Sequence, residues 1–172
     1  MSDQIEVTRT YLELTKRPDA LEAPSWPASV ELRREAACSV ALARALYAAV
    51  GRSYRWYDRD KWTDERLAAY LAQPNVSVWV LREGGSLAGY FELLQHDDGS
   101  LEIAYFGLVA AAQGKGLGKR LLEAAMHAGF DSGASRVWLH TCTLDHPAAL
   151  PNYKARGFVQ FKTEKYETSL AL

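Results

Sequence analysis

Residues 106–126 read FGLVAAAQGKGLGKRLLEAAM. A β-forming run ends in three alanines, glycines alternate at 114, 116 and 118, and an amphipathic helix begins. Glycine reaches left-handed backbone at no steric cost and lets another group approach the main chain closely. A turn so built joins a strand to a helix and leaves its amides accessible. The first amides of a helix have no intrahelical partner, and the helix dipole favours negative charge beside them. Lys115, Lys119 and Arg120 add positive charge. The segment therefore reads as an anion-binding turn, against the alternative of a glycine-rich βα turn that binds nothing. Two phosphate motifs fail here. A P-loop needs Gly at position 113 and Ser or Thr after Gly118-Lys119, where Gln113 and Arg120 stand. The dinucleotide fingerprint started at Gly114 needs glycine where Lys119 lies.

Around this turn the rest of the chain sorts by periodicity and punctuation. A short strand is expected at 11–14, a proline-bearing loop at 18–27 and a second strand at 30–35. Ser39 suits an N-cap for a helix through Val50, with Gly51 as its stop, and another helix runs over 64–72. Residues 76–82 (VSVWVLR) alternate, and Gly84-Gly85 turns them into a hairpin partner over 87–94. Strands follow at 101–109, 136–143 and 158–168, with helices to about residue 130 and over 146–156. Hairpins followed by a strand–helix–strand unit imply a mixed sheet with helices packed on it.

At 172 residues the chain suits one domain, 1–172. Twenty Lys+Arg against 21 Asp+Glu give no overall field for nucleic acid or an anionic membrane. No signal-peptide core or membrane span is present. Two cysteines, Cys38 and Cys142, make neither a disulfide framework nor zinc spacing. The expectation is a cytoplasmic protein with reduced thiols and no metal. Dimers are the common prior for oligomeric state.

The pattern Q-x-x-G-x-G at Gln113–Gly118, with VWLHTCTLDHPAALPNYKARGF after it, resembles the GNAT superfamily of acyl-CoA-dependent N-acetyltransferases. Tyr153, Gly157 and Phe158 stand in the family's Tyr-x-x-x-Gly-Phe frame. The specific resemblance covers residues 101–158. It implies an α/β fold with a mixed, largely antiparallel central sheet of six to seven strands, a splayed strand pair and about four flanking helices. It also implies acetyl-CoA as cosubstrate and an amine acceptor: a small molecule, a peptide N-terminus or a lysine. Gln113, Gly114, Lys115, Gly116, Leu117, Gly118 and Lys119 match the pyrophosphate turn, and Leu108 and Val109 the strand that pairs with pantetheine. Many members have Pro where Ala110 stands here. Many also begin the last helix with Asn; His146 takes that place, Pro151 interrupts the next turn, and Asn152 is the remaining candidate for the cofactor contact.

Acetyl transfer to an amine needs a base, because an ammonium of pKa near ~10.4 has no lone pair at neutral pH. Unbroken alternation on strand 101–109 puts Glu102 in a row with Ala104, Phe106 and Leu108. A carboxylate on an apolar row calls for explanation, since desolvation opposes its charge. Glu102, eleven residues before Gln113, matches the family's glutamate base; otherwise it is a solvated strand start. Tyr153 is the candidate acid for the leaving thiolate, or a packing aromatic. Trp56, Tyr57 and Trp62 in YRWYDRDKW line an acceptor pocket, with Asp58 or Asp60 attracting its charge, or form a satellite core. His140 reaches the acceptor site or is structural, while His96 and His127 read as solvated. A non-catalytic acyl-CoA-binding module of the same fold is the rival reading.

Overall fold

The computed structural model describes residues 4–169. Its strands are β1 (Gln4–Leu14), β2 (Val30–Glu35), β3 (Val76–Glu83), β4 (Ser86–Gln95), β5 (Ser100–Leu108), β6 (Arg136–Cys142) and β7 (Val159–Ser169). Its helices are α1 (Val40–Gly51), α2 (Asp64–Leu71), α3 (Leu117–Asp131) and α4 (Ala149–Ala155). The expected caps are present: Ser39 Oγ accepts the Leu42 N–H at 3.1 Å, and Thr63 Oγ1 accepts that of Arg66 at 3.2 Å. Gly84 and Gly85, both at positive φ (57° and 82°), close the β3–β4 hairpin, the conformation that a two-residue primed turn requires. Gly51 has a different reason from the one expected. It lies at ordinary helical angles, and a Cβ there would sit 2.2 Å from the Trp56 ring. It is small because an indole packs on it.

One seven-stranded sheet runs in the order β2-β3-β4-β5-β6-β1-β7. Every neighbouring pair is antiparallel except β5–β6. This is the mixed α/β architecture with about four helices that the sequence implies. β1 is longer than expected and lies inside the sheet, pairing with β6 on one side and β7 on the other. Adjacent residues on β3 join different cores: Val78 and Val80 pack with Leu46 and Val50 of α1, while Leu81 packs with Leu121, Leu122 and Met126 of α3. Since successive side chains point to opposite faces, α1 covers one face of the sheet and α3 the other.

Two irregularities shape the site. The β5–β6 ladder holds only Ser100, Leu101 and Glu102 against Arg136, Val137 and Trp138. Past Glu102, residues 103–108 of β5 and 139–142 of β6 part, which is the expected splay. The second is a bulge on β5. Tyr105 pairs with Glu92 and Ile103 with Leu93, leaving Ala104 extra. An inserted residue shifts the alternation by one. Phe106 and Leu108 therefore pack with Leu101 and Ile103 in the α3 core, while Tyr105 joins the α1 core. The expected row of Glu102, Ala104, Phe106 and Leu108 on one face is corrected accordingly.

Candidate active site

A cleft of about 1290 Å³ opens where β5 and β6 part. Its floor at one end is the glycine turn. Gly114 and Gly116 both have φ of 76°, where an L side chain would cost about 1–2 kcal/mol, and a Cβ on either would meet nothing within 4 Å. No side chain caps the start of α3, which leaves its first amides without a capping partner, as an anion site requires. Gln113, Gly114, Gly116, Gly118, Lys119 and Leu108 all line the cleft. Gln113 is held in place by donating from Nε2 to Tyr54 Oη at 3.0 Å.

Three of the residues expected at the cofactor end have their side chains engaged elsewhere. Lys115 pairs with Glu83 at 3.1 Å, Leu117 is buried in the core, and Val109 packs against both cores. Helix α4 begins at Ala149 rather than His146, whose Nδ1 accepts the Ala148 N–H. Pro151 then falls in the first turn, where a missing N–H removes no helical bond. This start brings Asn152 into the cleft, its Nδ2 3.4 Å from the Gly118 carbonyl.

Glu102 is the last paired residue before the strands part, and it lines the cleft. Its Oε2 lies 2.9 Å from Nε2 of His96, a residue expected to be solvated. Tyr153 projects from α4 with its ring edge-on to Phe106 and Phe158, and it too lines the cleft. Burial, and then the charge of Asp145, hold its phenol above the ordinary tyrosine value. His140 also opens on the cleft; the surrounding protein, then Arg9, push its imidazole below the ordinary value against the pull of Glu102, Asp145 and Asp58. That environment favours the neutral ring.

The aromatic loop serves as both pocket wall and satellite core. Trp56, Tyr57 and Trp62 line the cleft, while Trp56 also packs on Tyr47 and Tyr105. The anchor under this loop was not expected. Arg59, 7 % exposed, makes two hydrogen bonds of 2.7 and 2.6 Å to Glu92, 1 % exposed. Tyr70 donates a third at 2.6 Å, and the guanidinium lies over the Tyr105, Tyr70 and Trp62 rings. Burial opposes the Arg59 charge, but Glu92 outweighs it and holds the arginine above its ordinary value. A signal did exist: Glu92 is the one charge in the apolar run YFELL. Asp145 is a second unexpected tie. It accepts from Thr141 Oγ1 at 2.6 Å, the Cys142 N–H at 3.0 Å and Trp56 Nε1 at 3.4 Å, fastening the aromatic loop to the end of β6.

A sheet parted beside a glycine-rich, uncapped helix start, with a carboxylate at the fork, defines an α/β domain with one long cleft between two strands. Residues 43–158 match the family model of the acetyltransferase (GNAT) family, and the chain belongs to it. Over 74 residues it is 32 % identical to an uncharacterized N-acetyltransferase of Mycobacterium tuberculosis, covering 43 % of this chain and 47 % of that protein. Over 102 residues it is 31 % identical to a mycothiol acetyltransferase of Corynebacterium efficiens, covering 59 % and 33 %. The chain thus spans about half, or less, of the length of these curated relatives. Among solved structures, a GCN5-related N-acetyltransferase from Kribbella flavida matches with a TM-score of 0.63 at 21 % identity, over 94 % of this chain and 57 % of that one. An aminoglycoside acetyltransferase from an uncultured soil metagenomic sample, in complex with trehalose, matches at 0.62 and 19 % identity, over 75 % and 88 %. At these identities the structural likeness speaks for the fold.

Proposed function

We propose that the cleft binds acetyl-CoA and that the protein transfers the acetyl group to a primary amine. The observation that carries this reading is the uncapped start of α3, with Gly114 and Gly116 in left-handed conformation, opening on a cleft that runs on to Glu102. When bound, acetyl-CoA supplies an activated thioester. The turn from Gln113 to Lys119 would hold its pyrophosphate with backbone amides and the Lys119 charge, and Asn152 would contact it from α4. The backbone of β5 that β6 leaves unpaired, ending at Leu108, would pair with pantetheine and polarise the thioester carbonyl.

Glu102 takes the proton that the entering ammonium must lose. Tyr153, kept protonated by burial, donates to the departing thiolate. The acceptor enters from the aromatic end, against Trp56, Tyr57 and Trp62, and His140 lines the same cleft. Asp60 is paired with Arg52 at 3.2 Å. Asp58 faces the cleft and accepts from Tyr47 and Tyr105, so Asp58 is the carboxylate that draws in a protonated amine.

Thermal melts with acetyl-CoA, ATP and NAD test the cosubstrate. At 100 times the dissociation constant, binding stabilises by about 2.7 kcal/mol, a rise of roughly 5–10 °C for a chain of this size. The rise is expected with acetyl-CoA alone, and thiol release should follow with a panel of amines. No rise overturns the cosubstrate assignment. A rise without turnover on any amine favours the non-catalytic acyl-CoA-binding module.

A further inference from the structure

Acetylation of an ammonium releases one proton for each amide formed, and Glu102, only 15 % exposed at its side chain, needs somewhere to send it. We propose that His96 is that exit: a positioning and proton-relay residue that connects Glu102 to bulk water on the far side from the cleft. The proposal rests on the acetyl-transfer reading above.

His96 follows β4 in the tight turn that leads to β5. Its backbone N–H donates to the Ser100 carbonyl at 2.9 Å, and its carbonyl accepts from Gly99 at 3.1 Å. The imidazole stacks on the Trp138 indole, with centroids 5.6 Å apart and planes 28° from parallel, and Trp138 is itself held by donating to Ser100 Oγ at 3.3 Å. The ring is thus fixed by its own turn and by β6, and this aims Nε2 at Glu102 Oε2, 2.9 Å away. Glu102 lines the cleft and His96 does not, and the His96 side chain is 37 % exposed. One carboxylate therefore has a substrate-facing side and a solvent-facing neighbour. Asp98, on the same turn, is a further charged group that His96 acts on.

Each step balances. An N–H bond of the ammonium breaks and an O–H bond forms on Glu102. That proton crosses to Nε2 of an imidazole protonated at Nδ1, and the Nδ1 proton passes to water. Glu102 is again a carboxylate, and proton exchange with water returns the His96 ring to its Nδ1–H tautomer. Tyr153 protonates the departing thiolate, and the second N–H proton, lost from the attacking nitrogen as the amide forms, restores the phenol. Histidine suits this step because its two ring nitrogens let it take a proton on one side and release one from the other.

The test compares His96→Ala and His96→Gln with the parent protein, using thiol release from acetyl-CoA with whichever amine the parent acetylates best. The glutamine keeps a hydrogen bond to Glu102 but cannot relay. Both variants should lower kcat about tenfold, less than the ~10²-fold or more of losing a direct general base. KM for acetyl-CoA should be unchanged. Added imidazole should restore His96→Ala and leave His96→Gln slow. Parent-like turnover in both variants overturns the relay while leaving acetyl transfer intact. A fast His96→Gln beside a slow His96→Ala reduces His96 to a strut and also overturns it. If the parent acetylates no amine, the relay falls together with the reading on which it rests.

Discussion

Glu92 and Glu102 lie on neighbouring strands in opposite surroundings. Glu92 is enclosed by Arg59 and Tyr70, whereas Glu102 has the cleft on one side and His96 on the other. Leaving one partner of a buried pair alone costs about 3–5 kcal/mol, while replacing both with apolar groups is often neutral. Urea titration should therefore find Glu92→Met destabilised by about 3–5 kcal/mol, with Arg59→Met/Glu92→Met recovering most of that loss. Equal instability of the single and double variants would show that the pair is not the anchor. Glu102→Gln should melt like the parent and lose about 100-fold or more in kcat; undiminished turnover would remove it as the base. Glu102 could be singled out because its distance to Gln113 matches a family pattern. His96 could not, because the contact depends on a turn that folds the chain back on itself, and nothing local in HDDGS encodes it.

At the scale of elements, the glycine turn could be read directly because its chemistry is local. Two left-handed residues need two glycines, and both are present at φ of 76°. Gly116→Ala should cost about 1–2 kcal/mol in a thermal or urea melt and weaken acetyl-CoA binding by crowding the first amides of α3. An unaltered dissociation constant by calorimetry would argue that the ligand does not lie against this turn. The bulge at Ala104 was opaque for the complementary reason. Period-two reading assumes unbroken alternation, and a single extra residue is visible only once β4 is laid beside β5. The aromatic loop was half legible. Its composition announced a cluster, but the tie that fixes it, Arg59 to Glu92, joins residues 33 apart in the chain.

For the molecule as a whole, the buried tyrosines set a limit at high pH. Burial holds the phenols of Tyr47, Tyr90 and Tyr153 above their ordinary value. Below about pH 10 they are neutral in both folded and unfolded chains and add no pH dependence. Above it the unfolded chain releases protons that the folded one retains, so stability falls as pH rises, by about 1.4 kcal/mol per pH unit for each such tyrosine. Urea midpoints measured from pH 8 to pH 11 should be level and then drop steeply; a level curve throughout would mean that these phenols ionise in the native state. The strand order was the least legible feature, because an alternating strand records which of its faces is apolar and not which strand lies beside it. That order carries a consequence for how the protein is made. The pairings of β1 with β6 and β7 join residues from 123 apart (Leu14 with Val137) to 165 apart (Gln4 with Ser169) in sequence. During translation β1 emerges long before either neighbour exists. The β2–β5 meander can assemble on the ribosome while β1 waits with both edges bare. Sealing of the sheet therefore waits for β6 and β7 to emerge, and a chaperone that shields a lone strand through elongation would find its client in β1.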